Sequence, residues 1–291
     1  MLLYQKIVKV YMEFKVNKPE KLIKFIIHNY QGISFGNAQK LIRLGKVKVN
    51  GNKCKDNINL EIGDLVNVYQ SQKNIPHVEV LFEDKNILIV NKPQGIECAT
   101  RDKSSENTYS LEEIFKSKNA IVVHRLDRLT EGIVVLARTK EIAKKFEEYF
   151  RLKKIEKHYK ACVLGTPKDE GLKIAYLKKD SNQALVKISL IQKSDYKEII
   201  TEYRIEKSFS KYSLLDINLH TGRTHQIRGY FSFLGHPILQ DNKYGKNNCP
   251  IQSEYKGYFL TAYKIIFHLD DDLKYLNELN IEIKPSWIKY L

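Results

Sequence analysis

Between residues 157 and 220 the chain sets one strand-like segment after another, KHYKACVLG, ALVKISLI, EIITEYRI and YSLLDINL, with no helix between them. Strands joined this directly pair most simply as antiparallel neighbours, because a parallel crossover needs a dozen or more residues, usually helical. The run therefore predicts an α+β fold with a mainly antiparallel or mixed sheet flanked by helices, and argues against a doubly wound one. VEVLFE (78–83), NILIVN (86–91) and GIVVLAR (132–138) add strands. SLEEIFKS (110–117), KEIAKKFEEYF (140–150) and RTHQIRGYFSFLG (223–235) have helical spacing.

The amino-terminal part has a different rhythm. EKLIKFIIHN (20–29) and NAQKLIRLG (37–45) read as two short helices, the second stopped by Gly45. KVKVNGNKC alternates lysine with valine and turns at Asn50-Gly51, the pattern of a tight hairpin, before EIGDLVNVY. The unit spans 1–70 with a core at about 19–70, and the polar, proline-bearing SQKNIPH (71–77) reads as a linker to a second domain at 78–291. Met1 and Met12 are the only methionines, so the first eleven residues could be an over-extended start. The end, LNIEIKPSWIKYL, reads as a short closing element.

Charge narrows the partner. A formal charge of +15 attracts polyanions and gains from releasing their counterions, which makes nucleic acid the first candidate, with a generally lysine-rich composition as the plain alternative. Cys54, Cys98, Cys162 and Cys249 form no CxxC pair and suggest neither a zinc ribbon nor a disulfide framework. No signal peptide or membrane-spanning run is evident, so the cytoplasm is the expected compartment.

Two polar clusters stand out. HRLDRLTEG (124–132) sets Asp127 between Arg125 and Arg128 just before an apolar strand; nearby positive charge would favour the ionised form that a carboxylate nucleophile requires. A turn or helix-capping aspartate is the plainer reading of the same residue. The second cluster, LHTGRTHQIRGYFSFLGHPI (219–238), gathers Arg223, His225, Gln226 and Arg228 at the start of a helix, whose amides would suit phosphate. His220, His225 and His236 match no compact metal-ligand spacing, and no metal is expected. Asp127 and Glu131 could be a glycosidase pair, but a raised acid pKa is hard to arrange among so many cations.

Together the clusters resemble the RluA-type pseudouridine synthases: HRLDRLTEG is similar to the family's HRLDxxTSG, and TGRTHQIRGYFSFLGHPILQDNKYG to TGRTHQIRxHxxxxGxPIxGDxxYG. VNKPQGI (90–96), KHYKACVLG (157–165) and LTAYKIIF (260–267) match further family segments in order. KLIKFI, SFGNAQKLIRLGKVKVNG and LEIGDLVNVY resemble an S4 domain, an RNA-binding module. The resemblance implies a small S4-like domain followed by a catalytic domain with a central cleft. In it Asp127 is the nucleophile or base, Tyr159 stacks on the target base, and Arg228 partners the aspartate. It further implies that His124, Arg125, Arg223, Thr224, His225 and Gln226 bind substrate, with Arg125 helping to open the RNA, and that Lys40, Arg43, Lys46 and Lys48 contact phosphates. Structured RNA is the implied partner, large-subunit ribosomal RNA ahead of transfer RNA, and the protein is expected to act as a monomer without metal or organic cofactor. A non-catalytic RNA-binding or ribosome-assembly protein on the same fold is the rival.

The chain departs from the family pattern at Glu131, Tyr230, Gln240 and Thr261, where Ser, His, Gly and His are usual. Glu131 is expected to add a negative charge near Asp127. Because the implied chemistry needs no metal, uridine isomerisation should persist in excess EDTA, measured by pseudouridine formation in RNA.

Overall fold

The computed structural model describes residues 10–30, 33–70, 75–99, 109–180, 185–245, 249–251 and 253–291. The chain divides into two units, Met1–Asn74 and Ile75–Leu291. Residues 1–9, Ala184 and residues 71–74 of the expected linker lie outside the described residues.

In the first unit, Leu22–Asn29 and Phe35–Arg43 are helices, and Ser34 caps the second by accepting from the Asn37 N–H. Leu22, Phe25, Ile26, Ala38 and Ile42 bury one face of the pair, packing with Val47, Val66 and Val68. The sheet runs in the order Val10–Lys15, Leu65–Gln70, Val47–Val49, Asn52–Cys54, all antiparallel. Asn50 and Gly51 both have positive φ, as a tight hairpin with the sheet's own twist requires. VYMEFK, which precedes the core expected from about residue 19, pairs along its whole length with Leu65–Gln70, and Met12 lies inside that strand. Interspersed charges masked its alternation.

The second unit is an eleven-stranded sheet among the described residues. From one edge the order is Leu185–Ser189, Gly171–Asp180, Lys197–Ser208, Tyr212–Leu219, Ile155–Leu164, Leu260–Phe267, Glu131–Ala137, Ile87–Lys92 and Glu79–Glu83. Ile121–Val122 and Ile281–Glu282 pair off this path. Every neighbour is antiparallel except Glu131–Ala137 beside Leu260–Phe267, so the sheet is mixed and the fold α+β, as the run of strands predicted. The strand Gly171–Asp180 is legible only afterwards: it buries little beyond Ala175 and Leu177, and its lysines hide the period. Helices are few, with Lys140–Arg151 packed through Ile142, Ala143, Phe146 and Tyr149 on one face of the sheet. Among the described residues no helix is long and apolar enough to cross a membrane.

Two glycines set close approaches that position the loops. A Cβ at Gly132 would lie 2.3 Å from the Ala262 carbonyl oxygen, at φ +130°, where the two parallel strands meet. A Cβ at Gly229 would lie 2.3 Å from Val186 Cγ2, where the helix Gln226–Phe233 rests on the edge strand. Gly132→Ala combines a backbone clash with a disfavoured φ and should cost about 3 kcal/mol of stability, read as a lowered midpoint in urea unfolding.

Candidate active site

A cleft of about 660 Å³ opens beside the centre of the sheet, and all nine residues singled out for catalysis and substrate in the second unit line it: His124, Arg125, Asp127, Tyr159, Arg223, Thr224, His225, Gln226 and Arg228. They arrive from three directions. Asp127 sits in the turn before Glu131–Ala137, Tyr159 on the strand Ile155–Leu164, and Arg228 in the first turn of Gln226–Phe233.

Arg228 connects the parts. Its Nη1 donates to Asp127 Oδ2 at 2.8 Å, while Nε and Nη2 donate to the two oxygens of Asp241 at 2.6 and 3.0 Å. Arg228 and Asp241 are both buried, and the rings of Tyr244 and Tyr258 lie 5.0 and 4.1 Å from the guanidinium carbon. Burial works against this charge, but the bonds to Asp241 outweigh it and raise the guanidinium pKa above its ordinary value. A buried cation of this kind persists only when paired and hydrogen-bonded. The contact to Asp127 thus comes from a residue 101 positions away, whereas its sequence neighbours Arg125 and Arg128 are exposed.

The backbone on either side of Asp127 is tied down. The Leu126 N–H donates to Cys98 Sγ at 3.3 Å, and the Arg128 carbonyl accepts from the Gly95 N–H at 2.7 Å and from Lys92 Nζ at 3.3 Å. Lys92 also donates to the carbonyls of Pro93 and Ile96. Its amine is fully buried, and desolvation pushes its pKa down to about 8 despite the nearby acids. The VNKPQGI segment therefore works as a clamp on the loop, a role its sequence did not disclose.

His225 caps the helix in a left-handed conformation, with Nε2 3.7 Å from Asp127 Oδ2 and Nδ1 2.9 Å from the Tyr244 hydroxyl; burial lowers its pKa. Tyr159 is buried beside Asp127, and desolvation followed by that charge raises its pKa. Its ring stands at the cleft wall, where an aromatic face can meet a base. Arg223 and Thr224 are exposed on the rim.

Two candidates are engaged inside the protein. Gln226 accepts from Thr221 and the Arg223 N–H and donates to Ile200 and Thr201, so its amide shapes the loop and has no free group for a substrate. His124 Nε2 accepts from the Val135 N–H, and burial pushes its pKa down to about 3, keeping the ring neutral. The three candidate histidines do not converge: His220 meets Glu202, His225 meets Tyr244, and His236 donates to the Leu164 carbonyl.

Glu131 is bonded to the carboxy-terminal part of the unit, its carboxylate accepting from Thr261 Oγ1 at 2.8 Å and from the Ser286 N–H and hydroxyl at 2.8 and 2.6 Å. Trp287 Nε1 completes the set by donating to Thr261 Oγ1 at 2.7 Å.

Comparison with known proteins identifies the family. A family model described as RNA pseudouridylate synthase matches residues 86–233. An uncharacterised RNA pseudouridine synthase of Mycoplasma capricolum is 32% identical, with 95% of this chain and 98% of the relative covered. The chain belongs to the RluA type of RNA pseudouridine synthases. The ribosomal large subunit pseudouridine synthase C of Buchnera aphidicola is 32% identical over 79% of this chain and 78% of the relative. Human RNA pseudouridylate synthase domain containing 4 shares the fold, with a TM-score of 0.56 at 24% identity over 73% of this chain and 90% of that one.

In this pseudouridine synthase Asp241 is the residue that sequence reasoning left without a role. Its adjacency to the matched segment was visible; its grip on Arg228 was not. Asp241→Ala strands a buried guanidinium and should cost about 3–5 kcal/mol of stability. In the fraction that folds, turnover should fall about a hundredfold from misplacement of Asp127. Urea unfolding and single-turnover uridine isomerisation measure the two effects separately.

Proposed function

We propose that this enzyme converts particular uridines of large-subunit ribosomal RNA to pseudouridine, with Asp127 acting at the ribose of the target nucleotide. The reaction breaks the N1–C1′ bond and forms a C5–C1′ bond; the C5 proton leaves, N1 takes up a proton, and the product has the mass of the substrate. A carboxylate can serve by attacking C1′ or by removing the C2′ proton, and both need it held without reorganisation. The observation that carries the assignment is the doubly anchored Arg228: two of its donors are fixed on Asp241, so the third presents Asp127 to the cleft in one geometry.

The remaining parts fit an extruded base. Tyr159 offers its face beside Asp127, and stacking of about 1–3 kcal/mol per base offsets the few kcal/mol spent on unstacking the nucleotide. Arg125 and Arg223 stand exposed on the rim, placed to meet the RNA backbone, with Arg125 suited to the space that the uridine leaves. His225, beside Asp127 and shifted towards neutrality, adds a polar contact at the same end.

The amino-terminal unit is read as an S4-like RNA-binding domain. Arg43 and Lys46 are exposed, and Lys48 Nζ lies 5.4 Å from the Tyr69 ring centroid; with Lys40 they would take phosphates by charge and shape. Two domains then address one RNA, the protein working as a cytoplasmic monomer. The ribosomal choice rests on this pairing of domains and on the relatives named for the large subunit.

Pseudouridine-specific mapping of ribosomal and transfer RNA should show the same sites missing in cells without the protein and in cells carrying only Asp127→Asn. Loss confined to transfer RNA would transfer the substrate assignment there. An Asp127→Asn strain with a normal map would sink the role given to the carboxylate.

A further inference from the structure

Most cations around the cleft are exposed, as Arg125, Arg151, Lys153 and Arg223 are, but Lys157 is half-buried in its wall. Its Nζ lies 5.4 Å from the Phe150 ring centroid, and a Cβ built on Gly222 would lie 3.6 Å from it. The amine is thus held between the end of the helix Lys140–Arg151 and the loop that carries Arg223 and Thr224. Among the described residues no hydrogen bond or ion pair joins Lys157 to a carboxylate, and the nearby His124 ring is kept neutral by burial. Desolvation alone acts on it and pushes its pKa down to about 8.

A half-buried ammonium without an anion costs the free protein stability, and the same low-dielectric setting strengthens its attraction for an anion that enters. Lys157 is also two residues from Tyr159 on one strand, roughly 7 Å along the backbone, the reach between a stacked base and a phosphate beside it. We propose that Lys157 is a binding residue for one backbone phosphate of the RNA, next to the target uridine and at the end of the cleft closed by Phe150 and Gly222. The inference rests on the reading of the cleft as an RNA site. The loop amides and Arg223 flank the same place, so the phosphate meets a desolvated charge on one side and an exposed one on the other.

The test compares wild type with Lys157→Met and Lys157→Arg, using an RNA fragment that contains a mapped target uridine. Filter binding over a series of salt concentrations, steady-state isomerisation and thermal unfolding are measured for each. Lys157→Met should weaken binding and raise KM about fivefold to tenfold, and should reduce the magnitude of the salt slope by about 1. It should leave kcat within about twofold and leave Tm unchanged or higher, because an unpaired buried charge has been removed. Lys157→Arg should keep the wild-type salt slope. An unchanged slope in Lys157→Met, or a lowered Tm showing that the lysine supports the fold, overturns the proposal. If wild-type protein isomerises no uridine, the reading of the cleft fails instead; wild-type turnover with an unaltered Lys157→Met slope sinks this inference alone.

Discussion

One guanidinium carries the geometry of the site. Arg228 spends two donors on Asp241 and one on Asp127, and because the donors of arginine are fixed in a plane, immobilising one edge immobilises the other. A lysine would hold either carboxylate but could not transmit orientation between them. The rest of the fold serves to make this buried arrangement tolerable. Gly229 lets the helix settle on Val186, Tyr244 and Tyr258 cover the guanidinium, and Tyr244 accepts from the Val186 N–H, fastening the loop to the same strand.

The opposite side of the loop that carries Asp127 is held by another kind of bond. Lys92 offers its donors to three carbonyls, one of them that of Arg128, so a buried amine stands in for the backbone pairing that a turn cannot make. Beyond the loop, two departures from the family pattern are bonded to each other: Glu131 accepts from Thr261 and from Ser286, and Thr261 accepts from Trp287. Where a carboxylate replaces a small hydroxyl, the carboxy-terminal segment supplies the donors that its burial demands. The acid is thereby committed to closing the junction between the parallel strands. Gln240, in a left-handed conformation where the family has glycine, is another such accommodation, its side chain bonded to Ser253.

What the sequence disclosed follows from the range of the forces involved. The central strands and the helix Lys140–Arg151 announce themselves because burial of one face imposes a local period, and YSLLDINL is a strand over the residues its pattern marks. Gly171–Asp180 escaped because its partners, not its own burial, define it. The site residues were legible through motifs, and the resemblance named Arg228 as the partner of Asp127, but the contacts that support them were not legible. Nothing local to Gln226 says that its amide is saturated, nothing in NILIVNK says that the lysine bonds three carbonyls, and the neighbours of Asp127 in sequence suggested a different cation from the one it contacts. Those are facts of pairing between residues far apart in the chain.

Pairing also decides what the net charge of +15 can mean. A cation already answered by carboxylates has little left for a phosphate, since binding would have to compete with a bond formed at the cost of desolvation. Arg228 belongs to that class, as do Lys145 with Asp271 and Asp272 and Lys160 with Glu206 and Asp216. Their charge shapes the protein. In the cleft, Arg125, Arg223 and Lys157 have no such acid among the described residues, so their charge remains for a ligand. On the proposed reading, the number of lysines brings a polyanion near, and the pattern of unanswered cations beside Asp127 and Tyr159 determines where its backbone is best held.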